Sequence, residues 1–292
     1  MQVASERVSL ENILYATDFS RHSIEALPYT LSIARKYGST IFAVHVISLS
    51  PFPASSPTLA LQAISSQAVR EAGEAMAKLE PQLKAIPHEV LIRKGDVWNE
   101  LAAIIDNKGI DLVVVGTHGR TGVSKLLTGS VAEKIFRQAP CPVLTVGPNV
   151  SGEPDSIVDM RTILYPIDFS SESLAAAPYA ISLAQENAAR LYLLHVTPSP
   201  VNASVGASLT SRLRTLVPPE ARLWCEPKPY VESGDAAQKI ADFAEELDAD
   251  LIVLGTKHVA RLAGAATHLG MAIAYKVVSQ AVCPVLTVRG SA

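Results

Sequence analysis

The stretch LVVVGTHGRTGVSKLLTGSV, residues 112–131, decides the fold. It opens with an apolar, largely β-branched run, Leu112–Val115, which is typical of a short strand buried on both faces. A glycine-bearing loop follows, and a helix is predicted to begin near Gly129 and Ser130. A strand, a glycine loop and a helix start in this order allow backbone N–H groups to converge on phosphate oxygens.

The glycine spacing in this stretch excludes the two commonest phosphate motifs. Gly116 and Gly119 are separated by two residues, which rules out GxGxxG, and no Gly-Lys pair follows at the distance that GxxxxGK[ST] requires. The remaining pattern is Gly-x2-Gly-x9-Gly-Ser, formed by Gly116, Gly119, Gly129 and Ser130. We interpret it as a nucleotide phosphate loop of another kind, although the first two glycines alone also suit an ordinary βα loop.

The composition is that of a soluble globular chain. Of its 292 residues, 48% are hydrophobic and 18% are charged, and the formal net charge is −3. This balance gives no electrostatic reason to expect nucleic acid or an anionic membrane as the main partner. No uncharged run approaches the ~20 apolar residues that a membrane span needs, and Glu6 and Arg7 lie where a signal peptide would be apolar. The sequence therefore predicts a cytoplasmic protein.

The sequence is also a tandem repeat. Three pairs of segments match in the same order: ILYATDFS at 13–20 with ILYPIDFS at 163–170, DLVVVGT at 111–117 with DLIVLGT at 250–256, and CPVLTV at 141–146 with the same hexapeptide at 283–288. A repeat of domain size predicts two domains. The stretch Gly147–Asp159 contains two prolines and two glycines, as linkers often do. We therefore expect domains at 1–148 and 160–292, joined by a linker at 149–159.

Within each half, short apolar strands alternate with helical patterns. In the first half, strands are predicted at 13–17, 40–47, 88–94, 111–115 and 140–146. Apolar spacing predicts helices over Ser23–Tyr37 and Ser66–Ile86, with a loop at 48–65 between the second strand and the second helix. This alternation predicts βαβ units and a parallel sheet covered on both faces. In such a sheet, ligands bind outside the carboxyl ends of the strands.

Several side chains near those strand ends could contact a ligand. Asp18 could accept a hydrogen bond from a nucleotide, or could with Ser20 cap the following helix. Ser130 could cap the last helix of the first half while its hydroxyl and the nearby N–H groups face a ligand. Arg120 and Lys125 could balance phosphate charge or form a solvated loop face.

The Gly-x2-Gly-x9-Gly-Ser spacing, the opening ILYATDFS, the strand ending in His45-Val46 and the closing CPVLTV together resemble the universal stress protein family. The resemblance covers nearly the whole chain, once in each half. It implies two tandem three-layer α/β/α domains, each with a five-stranded parallel sheet of order 3-2-1-4-5. It also implies that the fifth strands, Val143–Val146 and Val285–Val288, pair across a pseudo-twofold axis, so that the chain forms an intrachain pseudo-dimer.

For the ATP-binding branch of that family, the resemblance implies an adenine nucleotide in the first half, as ATP with or without Mg²⁺. It implies contacts of Asp18 and the Val46 backbone with adenine, of Val115 and Gly116 with the ribose end, and of Gly119, Gly129, Ser130 and Val131 with phosphates, with Arg120 beside them. The expected role is a nucleotide-dependent stress-response or signalling module. The alternatives are a scaffold without nucleotide and a slow ATPase. No catalytic motif such as GxSxG or HExxH is present, which favours binding over turnover. Protein partners and a homodimer are left open.

The second half keeps Asp168, Val196 and Gly255 but departs from the loop pattern. His258 stands where Gly119 stood. At the position of Gly129-Ser130 the unchanged spacing reaches His268-Leu269, and a gapped alignment reaches Gly270-Met271; neither pair has the serine hydroxyl. A side chain at position 258 should obstruct a tight phosphate cradle. We therefore expect the N-terminal half to bind ATP and the C-terminal half to bind it weakly or not at all.

Two smaller expectations concern histidines and cysteines. His45 and His195 lie inside predicted strands and are expected to be core or strand-end residues with a backbone partner. Cys225, in RLWCEP, is expected to be the more exposed of the three thiols and the one to test for reactivity.

Overall fold

The computed structural model describes residues 7–48, 58–117, 130–150, 158–223, 225, 227–256 and 268–290; for 58–65, 130, 222, 223 and 268–272 this covers the backbone alone. The first half contains β1 (Asn12–Ala16), α1 (Arg21–Glu25), α2 (Leu27–Tyr37), β2 (Thr40–Ile47), α3 (Thr58–Leu83), β3 (His88–Lys94), α4 (Val97–Lys108), β4 (Leu112–Gly116), α5 (Ser130–Gln138) and β5 (Val143–Val146). The second half contains β6 (Thr162–Pro166), α6 (Ser171–Ala175), α7 (Ala177–Glu186), β7 (Arg190–Thr197), α8 (Ala203–Leu216), β8 (Lys228–Ser233), α9 (Ala236–Glu246), β9 (Leu251–Thr256), α10 (His268–Gln280) and β10 (Val285–Arg289).

One continuous sheet runs through both halves, in the order β3-β2-β1-β4-β5-β10-β9-β6-β7-β8. Strands are parallel within each half, which confirms the predicted order 3-2-1-4-5 twice. β5 and β10 pair antiparallel, with Leu144 opposite Leu286, so the predicted pairing of the fifth strands is also confirmed. Because this junction is antiparallel, the carboxyl ends of the strands in the two halves lie at opposite edges of the sheet.

Helices cover both faces of the sheet, as continuous apolar strands require. In β1, Ile13 and Tyr15 pack into a core that includes α2, α3, α7 and α8 and spans both halves. Leu14 points to the other face, into a cluster with α4 and α5. The second half has the matching cluster with α9 and α10. The three-layer α/β/α prediction is therefore confirmed.

Two of the predicted helix boundaries are wrong. The predicted helix over Ser23–Tyr37 is in fact two helices, because α1 ends at Glu25 and α2 begins at Leu27 with Pro28 in its first turn. Proline suits the first turn of a helix but not its interior, since it has no N–H to donate. α3 begins at Thr58, inside the predicted loop at 48–65, because this stretch carries enough Ala, Leu and Gln to form a helix.

The ends of α5 and α10 are bound by Arg289 of the second half and by Asn149, the first residue of the predicted linker. The half-buried Arg289 guanidinium donates to the Phe136 carbonyl at the end of α5, with Nη2 2.7 Å from the oxygen. The Asn149 side-chain amide donates to the Ser279 and Gln280 carbonyls at the end of α10, at 2.9 and 3.2 Å. The two halves are thus joined by helix contacts as well as by the β5–β10 ladder.

The prediction of an exposed Cys225 is wrong. Its side chain is 2% exposed and lies in the core that spans both halves, where burial raises the pKa of the thiol to about 11. Cys283 is also buried, and burial raises its pKa to about 12. None of the helices in the described ranges combines the length and apolar character needed to cross a membrane.

Candidate functional site

A tight turn follows β1 and fixes the carboxylate of Asp18. Asp18 Oδ1 accepts the Ser20 N–H at 3.0 Å, and Ser20 Oγ caps α1 by accepting the Ser23 N–H at 3.4 Å. The capping role considered for Asp18 and Ser20 is therefore present. The same geometry holds the carboxylate at the carboxyl end of β1, where ligands of parallel sheets bind.

Phe19, between these two residues, adopts the left-handed backbone conformation with φ of 61°. This conformation is unfavourable for a bulky residue and needs support from its surroundings. The support comes from His45, whose ring centroid lies 4.6 Å from that of Phe19 and whose Nδ1 donates to the Thr17 carbonyl at 2.8 Å. The second half repeats this unit with Phe169 (φ 61°), His195 and the Ile167 carbonyl. The backbone partners expected for both histidines are confirmed.

Gly116, at the end of β4, allows α1 to approach the sheet closely. A Cβ at this position would lie 2.5 Å from the carbonyl carbon and oxygen of His22 and 2.7 Å from the Ser23 nitrogen. The second half has the same contact, because a Cβ on Gly255 would lie 2.2 Å from the Glu172 oxygen. The close backbone approach that we expected from Gly116 is thus made first of all by α1, whether or not a ligand binds.

The predicted site residues in the described part of the first half lie at one edge of the sheet. Asp18, Val46 and Gly116 are at the carboxyl ends of β1, β2 and β4, and Val131 is in the first turn of α5. Val46 and Val131 are partly buried and pack against the cluster that contains Val115. Gly119, Arg120 and Gly129 lie outside the described residues, as does the side chain of Ser130.

The second half has a cleft at the corresponding edge, with a cavity volume of about 100 Å³. It is lined by residues of β6, β7, β9, α6, α9 and α10 and of the turn after β6: Pro166, Ile167, Asp168, Ser173, Leu194, Val196, Ala236, Ile240, Leu254, Gly255 and Ile273. Five of these occupy the positions predicted for binding in the first half: Asp168 for Asp18, Val196 for Val46, Leu254 for Val115, Gly255 for Gly116 and Ile273 for Val131. The repeat identifies three of these from sequence, Asp168, Val196 and Gly255, whereas Leu254 and Ile273 are added by the structure.

The helix register corrects the alignment of the second loop. Ala139 N–H donates to Ile135, and Ala281 N–H donates to Val277, so α5 and α10 end at the same distance before the CPVLTV strands. Counting back along α10 places Met271-Ala272, rather than Gly270-Met271, opposite Gly129-Ser130. The conclusion for the chemistry is unchanged, because alanine also lacks the hydroxyl.

Asp168 is a charged group in the second cleft. Burial alone would raise the pKa of its carboxyl, but hydrogen bonds from Ser170 and Ser173 together outweigh burial, and the pKa lies below its ordinary value. Asp168 is therefore an ionised acceptor at neutral pH. Within the described ranges, no group of three or more His, Cys, Asp or Glu side chains is arranged to hold a metal ion.

Comparison with known proteins places both halves in one family. A family model described as the universal stress protein family matches residues 9–147 and 160–289. Universal stress protein MJ0531 of Methanocaldococcus jannaschii is 32% identical over 138 residues, which are 47% of this chain and 81% of that protein. Universal stress protein A homolog 1 of Coxiella burnetii is 33% identical over 138 residues, or 47% of this chain and 95% of its own.

A solved structure matches the two halves together. The crystal structure of a universal stress protein from Archaeoglobus fulgidus covers 97% of both chains with a TM-score of 0.73 at 21% identity. At this level of identity the likeness shows the fold, and it extends over both halves and the sheet that joins them.

Proposed function

The chain belongs to the universal stress protein family, and we propose that its N-terminal half binds an adenine nucleotide, ATP, and acts as a nucleotide-dependent stress-response or signalling module. The observation that carries this proposal is the placement of Asp18, Val46, Val115, Gly116 and Val131 at one edge of the sheet. Their counterparts line a cleft in the second half, which supports the same use of these positions in the first.

The described residues suit the base and ribose end of a nucleotide. The half-buried side chains of Val46 and Val131 offer apolar surface at the mouth of the site. Asp18 offers a carboxylate whose position is fixed by the Ser20 N–H. A carboxylate accepts hydrogen bonds from an exocyclic amine or a ribose hydroxyl, and charged acceptors make the stronger hydrogen bonds.

The phosphate end is assigned to the Gly-x2-Gly-x9-Gly-Ser segment. Its last residue, Ser130, is the first residue of α5, so the free N–H groups of that first turn can bind phosphate oxygens. Gly119, Gly129 and Arg120 complete the proposed cradle. Mg²⁺, where it accompanies ATP, would be held mainly by the phosphates, as is usual for this ion.

A scaffold that binds no nucleotide is the alternative function. It is favoured by the continuous sheet and the contacts of Arg289 and Asn149, which make the two halves one body. The structural role of Gly116 also explains that glycine without any ligand. The alternative gives no reason for the Gly-Ser pair at 129–130, which the second half does not have.

Mass spectrometry and calorimetry on the full chain test the proposal. Protein purified without added ligand should release adenine nucleotide, and titration with ATP should show one site per chain. Asp18→Asn keeps an acceptor for the Ser20 N–H but removes the charge. It should weaken ATP binding about tenfold or more, because a hydrogen bond to a charged group contributes about 1.5–3 kcal/mol.

Asp168→Asn is the matched control, because it makes the same change in the second half. It should leave the ATP affinity unchanged. Absence of released nucleotide together with absence of ATP binding would favour the scaffold. An equal loss in both variants would contradict the assignment of ATP to the first half.

A further inference from the structure

Hydrogen bonds fix the backbone on both sides of Asp18. The peptide group before it is held because the Thr17 carbonyl accepts from His45 Nδ1 at 2.8 Å. The peptide group after it is held because the Phe19 N–H donates to Thr17 Oγ1 at 3.0 Å, in a short turn closed by a hydroxyl group. A residue has only two soft backbone dihedrals, so fixing both neighbouring peptide planes also fixes the direction in which the Asp18 side chain leaves the backbone.

The Thr17 hydroxyl is itself oriented by a second hydroxyl, that of Ser23. Ser23 Oγ lies 3.0 Å from Thr17 Oγ1 and 3.0 Å from the Ser20 carbonyl oxygen. A carbonyl can only accept, so the single hydroxyl proton of Ser23 goes to Ser20, and Thr17 is the donor within the pair of hydroxyls. The lone pairs of the Thr17 oxygen then accept the Phe19 N–H. Thr17 is 5% exposed, so these bonds are shielded from water.

The second half lacks this hydroxyl. Ile167 stands in place of Thr17, and its carbonyl accepts from His195 Nδ1 at 2.6 Å, so the peptide group before Asp168 is fixed as in the first half. Isoleucine has no side-chain oxygen to accept the Phe169 N–H. Phe169 nevertheless adopts the same φ of 61° as its counterpart in the first half. The turn therefore forms without the threonine, which points to a role of the hydroxyl toward a ligand rather than in folding.

We propose that Thr17 is a positioning residue for the nucleotide of the first half: its hydroxyl holds the peptide between Asp18 and Phe19 and thereby keeps the Asp18 carboxylate in the orientation that binds the ligand. Thr17 acts through Asp18 and not by its own contact with the nucleotide. This inference rests on the proposed function, because it concerns the same site. It gives a reason for the threonine in the half that carries the Gly-Ser pair and for the isoleucine in the half that does not.

Valine and serine at position 17 separate the hydroxyl from the shape of the side chain. Thr17→Val removes the hydroxyl at nearly the same volume, whereas Thr17→Ser keeps it. Thr30→Val is the matched control, because Thr30 is also buried in the first half and its hydroxyl also bonds the backbone, donating to the Ala26 carbonyl at 2.9 Å. Thr30 lies in α2, which contributes none of the predicted site residues.

Calorimetric titration of the full-length proteins with ATP measures the effect on the ligand. Thr17→Val should weaken ATP binding about fivefold, as expected for one lost hydrogen bond, whereas Thr17→Ser and Thr30→Val should stay within about twofold of the wild type. In an Asp18→Asn background, Thr17→Val should have no further effect, because it acts through the carboxylate. A role in stability alone would lower the urea midpoints of Thr17→Val and Thr30→Val and leave the ATP affinity of both unchanged.

Amide hydrogen exchange of the ligand-free protein tests the hydrogen bond itself. The Phe19 amide should exchange about fivefold faster in Thr17→Val than in the wild type, because its acceptor is removed. In Thr17→Ser and Thr30→Val it should exchange at about the wild-type rate.

Three results would overturn this inference: wild-type ATP affinity in Thr17→Val, an equal loss of affinity when Thr17→Val is made in the Asp18→Asn background, or an unchanged exchange rate of the Phe19 amide in Thr17→Val. Failure of the proposed function gives a different result. The wild-type protein would then bind no ATP, while the Phe19 amide would still exchange faster in Thr17→Val.

Discussion

Replacing Gly116 by alanine tests whether this glycine is required by the fold or by a ligand. The new Cβ would lie 2.5 Å from the His22 carbonyl carbon, so α1 would have to move by about 0.9 Å to reach the 3.4 Å of an ordinary contact. The start of α1 resists this movement. It is held by the Tyr15 hydroxyl, which donates to the Ser23 carbonyl at 2.7 Å, and by the bond between the Thr17 and Ser23 hydroxyls.

The cost follows from these contacts. Overpacking against a fixed neighbour costs about 1–3 kcal/mol, and each strained neutral hydrogen bond adds up to about 1 kcal/mol. We therefore expect Gly116→Ala to lower the free energy of unfolding of the ligand-free protein by about 3 kcal/mol. Gly73→Ala is the control, because nothing lies within 4 Å of its added Cβ in α3. It should stabilise the protein by up to about 1 kcal/mol, since alanine is the better helix former.

Urea unfolding measures both variants. Trp98 packs against the first-half cluster, so its fluorescence in a Trp224→Phe background reports on the half that contains Gly116. A Gly116→Ala protein that unfolds at the wild-type urea concentration yet loses ATP binding would refute the structural explanation. It would show that the glycine serves the ligand, and that α1 accommodates a Cβ at little cost.

Two further predictions concern alkaline pH and the junction between the halves. Burial raises the pKa of Cys283 from 9.0 to about 12, so the thiol ionises in the unfolded chain before it does in the folded one. The contribution of the neutral thiol to the free energy of unfolding is present below pH 9 and should be lost between pH 9 and 12, by about 1.4 kcal/mol per pH unit. Cys283→Ala should therefore make the midpoint of urea unfolding less sensitive to pH in this range. An equal dependence of the midpoint on pH in the variant and the wild type would contradict this. Arg289→Met should lower the free energy of unfolding by about 1.5–3 kcal/mol, because the Phe136 carbonyl loses a charged donor. Arg190 is exposed, so the control Arg190→Met should change the free energy of unfolding little. Equal effects of the two substitutions in thermal unfolding would argue against the role of Arg289.

The fold could be predicted because its signals are local and occur twice. Apolar runs such as Leu112–Val115 mark buried strands wherever they occur, and the repeat doubles each observation. The pairing of β5 with β10 could not be predicted from such local signals. It was implied by the family resemblance, because no sequence pattern within either strand indicates a partner 140 residues away.

The wrong predictions have different physical causes: tertiary packing buries Cys225, whereas local chemistry sets the two helix boundaries. The polar sequence around Cys225 suggests exposure, yet its N–H donates to the Ala221 carbonyl in a short turn that lies against the core. The spacing of apolar residues continues through Ala26, so the restart of the helix before Pro28 does not disturb the pattern. The helix break follows from Pro28, which has no N–H for the helix interior, whereas the burial of Cys225 is decided by tertiary contacts.

The candidate site was predictable in its positions but not in the roles of all its residues. Asp18, Val46 and Val131 were located by strand ends and by a helix start, and they lie where expected. Gly116 was assigned to a ligand because sequence alone cannot show that α1 crosses the end of β4. The contact with His22 appears only when both elements are in place.

The two halves of the chain serve as internal controls for each other. Tyr15 and Tyr165 make the same hydrogen bond to the following helix, and the glycines at the ends of β4 and β9 allow that helix to lie close to the sheet. Features present in both halves, although only one has the Gly-Ser loop, are explained by folding. Features that differ are the ones to test for ligand binding, and the pair at 129–130, present in the first half and replaced in the second, is the first of these.

The junction between the halves is separate from the predicted site positions. Val131 lies in the first turn of α5, and Ile273 is its counterpart in α10. The other ends of these helices are held by Arg289 and Asn149, which bind the carbonyls at the ends of α5 and α10. The first turns of the two helices can therefore differ in sequence without disturbing the junction, because the contacts that join the halves lie at the far ends.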